Sequence, residues 1–193
     1  MKKFIETIRF ENGEFHLLDY HQERIDRTYA SFYSGHSPIQ LTQILPEFYE
    51  NGKYKFQLEY DLENHQLTNR LYTPKTIRTL QLMEADLDYG FKFSDRSELQ
   101  KLLDKSKADE IILVKNGLIT DTSYSNLAFY DGSAWWTPEQ PLLAGVRRSS
   151  LMSKCKLRAT NLRVDDLPKF SKVSLINALL DLGELSISAR TIS

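Results

Sequence analysis

Four dipeptides, Asn12-Gly13, Asn51-Gly52, Asn116-Gly117 and Asp131-Gly132, constrain this fold more than any other feature of the chain. Asn-Gly and Asp-Gly tolerate the positive φ of a tight hairpin, and each pair lies near a strand-like run. The first turn is expected to join residues 5–10 to 14–18, the third 110–114 to 118–122, and the fourth 127–130 to 134–137. The second follows a helix-like stretch, 44–49, and precedes a strand-like one, 54–60.

Helical signals are fewer. Asp19 can cap a helix through residues 20–33, with Ile25, Tyr29 and Phe32 on one apolar side. A second helix is expected over 37–49, entered near Pro38. Asp95, with Glu98 three residues on, resembles a capping box for a helix through about Leu103. Residues 146–156 follow Gly145 as a further helix, 172–178 read as a strand, and a last helix is expected near 178–183. No repeat or low-complexity segment interrupts this pattern. Residues 86–92 form the expected boundary between an N-terminal α/β domain, 1–86, and a strand-rich C-terminal domain, 87–193.

The 193 residues, 41% hydrophobic and 26% charged, suit a globular chain with a genuine core. A formal net charge of -1 gives no reason to expect nucleic acid or an anionic membrane as partner. Glu6 and Arg9 interrupt any signal-peptide core, and no run approaches the roughly 20 apolar residues of a membrane span. Cys155, the single cysteine, excludes an internal disulfide and reads as a small core or semi-buried residue on a helix. The cytoplasm is the expected compartment.

His16, His21, His36 and His65 are too scattered for a zinc motif, so no metal is expected, and His21 reads as a packing residue. Ser123 and Ser125 lack a G-x-S-x-G elbow. Trp135, Trp136 and Tyr124 read as core aromatics.

A different constellation carries chemistry. Pyridoxal phosphate needs a lysine, an acid beside its ring nitrogen, a phosphate cradle and a residue that orients the ring. Lys92 lies between Phe91 and Phe93, where partial burial would favour its free amine. Asp121 ends a predicted hairpin strand before Thr122-Ser123-Tyr124-Ser125-Asn126; taken alone it reads equally as a turn-capping acid. Gly145-Val146-Arg147 opens a helix whose free N–H groups and dipole suit a phosphate. Arg24 could supply a bidentate counter-charge, or be a surface arginine of its helix. No one of these is specific; their order is.

Taken together, the chain resembles the class IV aminotransferases, which include branched-chain and D-amino-acid aminotransferases and 4-amino-4-deoxychorismate lyase. Glu6-Thr7-Ile8-Arg9, Asn12-Gly13 and His21-Gln22-Glu23-Arg24 resemble the family's arginine strand, turn and H-x-x-R helix. Lys92-Phe93-Ser94-Asp95-Arg96 resembles the lyase branch's K-x-x-N-R. The strand–turn–strand from Asp109 to Leu127, the Thr137-Pro138 to Gly145-Val146-Arg147-Arg148 block, and the strand from Lys172 to Leu179 also match.

The resemblance implies an α+β chain of the two-part type IV pyridoxal-phosphate fold. Its N-terminal half would be an α/β sandwich and its C-terminal half strand-rich and barrel-like. It implies Lys92 as Schiff-base and proton-shuttling residue, Arg24 with the amides of Val146 and Arg147 at the phosphate, Asp121 at the ring nitrogen, Asn126 close to the cofactor, and Asn177 and Ala178 beside the phosphate. It implies a small amino-group substrate and a homodimer. The expected reaction is the lyase's release of pyruvate to give 4-aminobenzoate, with amino-group transfer or a relative without catalysis as alternatives. Arg9, Arg147 and Arg148 are unranked candidates for the substrate carboxylate.

Three departures accompany the resemblance. Asp121 stands where the family usually has glutamate, moving the carboxylate by roughly 1.5 Å, one covalent bond. The chain starts almost at the E-T-x-R strand, so a wall of the substrate pocket is expected to be missing. Residues 56–61 replace a strand that in many relatives ends in Arg-Gly.

Overall fold

The computed structural model describes residues 2–193, which fold as two compact units. The first takes the chain as far as Thr73, together with Phe91–Asp95. It contains β1 (Phe4–Glu11), β2 (Glu14–Phe15), α1 (Leu18–Phe32), the short α2 (Leu41–Ile44), β3 (Tyr54–Tyr60) and β4 (His65–Leu71). The strands form an antiparallel sheet in the order β2-β1-β3-β4. Phe4, Ile8, Phe10, Phe56, Leu58 and Tyr60 alternate along β1 and β3 and form a core with Ile25 and Tyr29 of α1. Phe91–Asp95 lies along the edge of β1 not taken by β3. Phe93 bridges Phe4, Ile5 N–H donates to Lys92 C=O at 2.9 Å, and Ser94 N–H donates to Lys3 C=O at 2.8 Å.

The second unit comprises Pro74–Gly90 and Arg96–Ser193. Its elements are β5 (Leu80–Glu84), α3 (Ser97–Lys105), β6 (Glu110–Lys115), β7 (Leu118–Thr122), β8 (Asn126–Tyr130), β9 (Trp135–Pro138), α4 (Val146–Ser153), β10 (Arg158–Thr160), β11 (Lys172–Ile176) and β12 (Ser186–Ser188), with 3-10 turns at Val164–Lys169 and Ala189–Thr191. One path runs β10-β9-β8-β7-β6-β5, and β11 joins β8 to β12. The chain end then returns to β5: Leu82 N–H donates to Ser193 C=O at 2.7 Å, and Ser193 N–H to Leu80 C=O at 3.0 Å. The strands thus curl around a core of Ile112, Ile119, Leu127, Phe129, Val173 and Leu175. Residues between these alternate outward, Ala128 and Ile176 packing with Leu151 of α4, and Ile111 and Leu113 with Leu99 of α3. Among the described residues, no helix is long and apolar enough to cross a membrane.

The Asn-Gly hairpins form as expected at 12–13 and 116–117, with both residues of each pair at positive φ. The strands around 116–117 and 131–132 match their expected spans to within a residue or two. The strand after Gly13 is shorter than expected, because Leu17 at φ 60° turns the chain into α1. That makes Leu17, not Asp19, the residue preceding the helix, and Asp19 sits within the first turn. Arg96 likewise precedes α3 in place of Asp95.

The helix expected over 37–49 shrinks to Leu41–Ile44. Leu45 precedes Pro46 and is extended, at φ -74° and ψ 129°, as the proline ring demands. No helix forms at 178–183, because Asn177 Oδ1 accepts from the N–H groups of Leu179 at 2.8 Å and Leu180 at 3.1 Å, closing a turn. Cys155 is exposed, not core. It stands past the end of α4 at φ 55°, with Cys155 N–H on Met152 C=O and Lys156 N–H on Leu151 C=O, the paired bonds of a left-handed helix stop.

Candidate active site

In the first unit, the buried residues of α1 are His21, Arg24, Ile25, Thr28 and Tyr29, one helical stripe in which three polar groups join the expected Ile25 and Tyr29. Their partner is Glu6, an acid in the Phe4-Glu6-Ile8-Phe10 stripe of β1. Arg24 Nε donates to Glu6 Oε1 at 2.7 Å and Arg24 Nη2 to Oε2 at 2.5 Å; His21 Nδ1 lies 2.5 Å from Oε2. Burial alone would push Glu6 upward, but the Arg24 charge, its hydrogen bonds and those of His21 outweigh that and hold the carboxyl at about 2. Burial lowers His21, with Glu6 opposing it and the charges of Arg24 and Lys92 reinforcing it. The imidazole is therefore neutral, donating through Nδ1, and its Nε2 is buried without a hydrogen-bond partner among the described residues.

The same arrangement extends outward. Thr28 Oγ donates to Arg24 C=O at 2.9 Å, and the buried Tyr60 hydroxyl is bonded to Thr28. Lys92 is half-buried beside β1, its backbone on Ile5 and its neighbours Phe91 and Phe93 packed on Phe32 and Phe4 at ring separations of 4.8 and 5.2 Å. Arg9 pairs with Glu11. Lys92 and Arg24, both named from the sequence, lie in this unit. His21, expected only as a packing residue, also bonds Glu6, and the pairing of Glu6 with Arg24 was not foreseen; the signal was an acid within an apolar strand stripe.

In the second unit, Asp121 of β7 and Asn126 of β8 stand directly opposite in register. Asn126 Nδ2 donates to Asp121 Oδ1 at 2.7 Å and to Leu143 C=O at 2.9 Å, while Asp121 Oδ2 accepts from Leu143 N–H at 2.9 Å. Burial pushes Asp121 up to about 6, against the opposing pull of Asn126, the amides of Leu143 and Leu142, and the more distant Arg148 charge. Among the described residues, the hydrogen-bond donors to this carboxyl are neutral and no cation is bonded to it.

Leu142–Gly145 leads into α4, and Gly145 has an ordinary extended backbone, φ -76° and ψ 139°. Its glycine is required by space instead: a Cβ there would fall 1.9 Å from Asn126 Oδ1. The N–H groups of Val146 and Arg147 begin the helix, where no carbonyl of an earlier turn can reach them. Arg147 Nη1 pairs with Asp181 Oδ1 at 2.9 Å, which brings the Asn177–Leu180 turn beside that first helical turn. Asn126 is paired with Ile176 on β11, one residue before Asn177. Asp121, Asn126, Val146, Arg147, Asn177 and Ala178, all named from the sequence, are thus brought to one end of this unit.

Arg148, by contrast, is buried and donates to Pro138 C=O at 2.8 Å and Thr137 Oγ at 3.3 Å, tying α4 to β9. A second buried acid was missed by sequence reasoning. Glu110 accepts from Ser123 N–H at 3.1 Å and Ser123 Oγ at 2.9 Å, and so supports the turn between Asp121 and Asn126. Among the described residues no group of three or more His, Cys, Asp or Glu could hold a metal ion.

The class IV amino-transferase family model matches residues 95–186. An uncharacterized protein of Haemophilus influenzae strain Rd is 32% identical over 186 residues, 93% of this chain and 98% of its own. A candidate 4-amino-4-deoxychorismate lyase from Haemophilus somnus 129PT superposes with a TM-score of 0.89 at 31% identity, covering 94% of this chain and 98% of that one. The PLP-bound form of a hypothetical aminotransferase from Mycobacterium tuberculosis shares the fold, with a TM-score of 0.74 at 15% identity over 99% of this chain and 81% of that one. The chain belongs to the class IV aminotransferase family and has its type IV fold.

Proposed function

We propose that this chain is a cytoplasmic pyridoxal-phosphate enzyme that releases pyruvate from 4-amino-4-deoxychorismate, leaving 4-aminobenzoate. The observation that carries the cofactor is Asp121: a buried carboxyl, pushed up to about 6, whose bonded donors are all neutral. A protonated ring nitrogen is the cation such a site lacks. The residues around it fit the rest of the group, with a glycine-opened helix at Gly145–Arg147 for the phosphate.

Bound pyridoxal phosphate supplies an electron sink for a bond broken at the substrate's amino-bearing carbon. Lys92 offers the amine that would hold the cofactor and would then take the proton from that carbon; the neighbouring C–O bond breaks as the ring becomes aromatic, and the departing enolpyruvyl group takes up a proton to leave as pyruvate. Asp121 would keep the ring nitrogen protonated. By the family resemblance, the amides of Val146 and Arg147 and the guanidinium of Arg24, oriented by Glu6, would hold the phosphate through hydrogen bonds. The lyase reading is supported by the likeness to the Haemophilus somnus protein and by Lys92-Phe93-Ser94-Asp95-Arg96. The working form is proposed to be a homodimer, which sedimentation tests.

Purified protein given pyridoxal phosphate should turn yellow, and borohydride should fix the cofactor to wild type but not to Lys92→Ala. Wild type that takes up no cofactor would overturn the reading. Pyruvate and 4-aminobenzoate released from aminodeoxychorismate would establish the lyase; turnover only of amino-acid and keto-acid pairs would replace it with an aminotransferase.

A further inference from the structure

We infer that Asn126 is a positioning residue whose amide clasps the Leu142–Gly145 loop to Asp121 and so sets where the first-turn amides of α4 stand. This rests on the proposed cofactor only for what those amides receive; the clasp itself is a property of the chain. Asn126 is 5% exposed, and both hydrogens of its Nδ2 are used, one on Asp121 Oδ1 at 2.7 Å and one on Leu143 C=O at 2.9 Å. Both partners are acceptors, so the orientation of the amide follows from chemistry: only NH2 can face them. Asp121 Oδ2 completes the arrangement by taking Leu143 N–H at 2.9 Å. One residue of the loop thus has both its N–H and its C=O held by a cross-strand Asp–Asn pair.

The other end of the amide faces the helix. Asn126 Oδ1 occupies the volume that a Cβ on Gly145 would need, leaving 1.9 Å between them. The glycine and the amide therefore form one contact, and it lies immediately before Val146. The base of the clasp is rigid as well. Thr122 Oγ accepts from Ser125 N–H at 3.0 Å, and Glu110 holds Ser123, so the turn carrying Asn126 has little freedom to follow the loop.

Asn126→Asp changes one NH2 to an oxygen and sets a carboxylate against two acceptors. The expected results are faster hydrogen exchange in the 142–148 peptide of the cofactor-free protein and a loss of pyridoxal-phosphate affinity of about tenfold or more. Gly145→Ala should weaken cofactor binding similarly by displacing the loop. The double variant Asn126→Ala/Gly145→Ala should be no worse than Asn126→Ala alone, since the methyl then enters space the amide has left. Unchanged exchange in Asn126→Asp, or additive losses in the double variant, would overturn the inference even if every single variant binds poorly. If wild type binds no pyridoxal phosphate, the functional reading fails, and the exchange measurement still decides the clasp.

Discussion

Glu6 and Asp121 are both buried carboxyls, and they are driven in opposite directions. Glu6 meets a guanidinium on two of its nitrogens and a neutral imidazole, and is held at about 2. Asp121 meets an amide side chain and backbone N–H groups, and is pushed up to about 6. Desolvation acts on both; the difference is a cation within hydrogen-bond reach. The first acid is a finished ion pair whose task is to hold Arg24 in place. The second is bonded, among the described residues, only by neutral donors.

The sharpest way to break this contrast is to remove Glu6. Glu6→Gln leaves the buried Arg24 charge uncompensated and should cost about 3–5 kcal/mol of stability by urea denaturation. Adding Arg24→Met should recover a good part of that loss, because an apolar pair of similar volume replaces the ion pair at little net cost. The double variant should nevertheless bind pyridoxal phosphate poorly. Recovery of stability without recovery of binding separates the guanidinium's functional role from the fold's need for it. Equal stability of wild type and Glu6→Gln would show that Glu6 does not balance the buried Arg24 charge.

The sequence made local features legible and long-range partners invisible. The hairpins at Asn12-Gly13 and Asn116-Gly117 were readable because the turn residues and the flanking alternation are contiguous. The helix over 37–49 was misjudged because Pro46 dictates an extended Leu45, a constraint that outweighs apolar spacing. The candidate site followed from family-like motifs at Lys92, Arg24, Asp121, Asn126, Val146, Arg147, Asn177 and Ala178. What joins some of them was hidden: Glu6 to Arg24, Glu110 to Ser123, Asn126 to Gly145. Each pair meets only once the strands and helices pack, and no spacing in the chain announces it.

The two acids also respond to pH with opposite sign, by a smaller amount. The folded-state value of Asp121 lies above its ordinary 3.8, so the folded chain binds the extra proton and this group favours folding more as pH falls from about 6 to about 4. Glu6 has the opposite sign: its contribution is present above the ordinary 4.5 and is lost as pH falls toward about 2. The stability of wild type minus Asp121→Asn should therefore rise on acidification between pH 6 and 4. That of wild type minus Glu6→Gln should fall only below about 4.5. If both differences move the same way, the two acids are not the contrasting pair that their partners imply. Asp121→Asn should also slow turnover by on the order of 10²–10³, the scale for removing one charge-stabilising group.

The smallest effect belongs to His21, which lies on the Glu6 side of the comparison. Its Nδ1–H stabilises the carboxylate, but its Nε2 is a buried acceptor with no partner among the described residues. His21→Phe removes both the favourable bond and the unfavourable lone pair, so the net loss should be only about 1 kcal/mol, smaller than a hydrogen bond to a charge would suggest. The imidazole's folded-state value is depressed below its ordinary 6.5, so below that pH the unfolded chain takes up a proton that the folded one refuses. Wild type should therefore lose its small advantage over His21→Phe as pH falls through 6.5 and then become the less stable of the two. Urea midpoints of the two proteins at pH 8 and pH 5 measure this. A gap that widens toward pH 5 would mean that His21 carries its charge in the folded state and that Glu6 is balanced by two cations, not one.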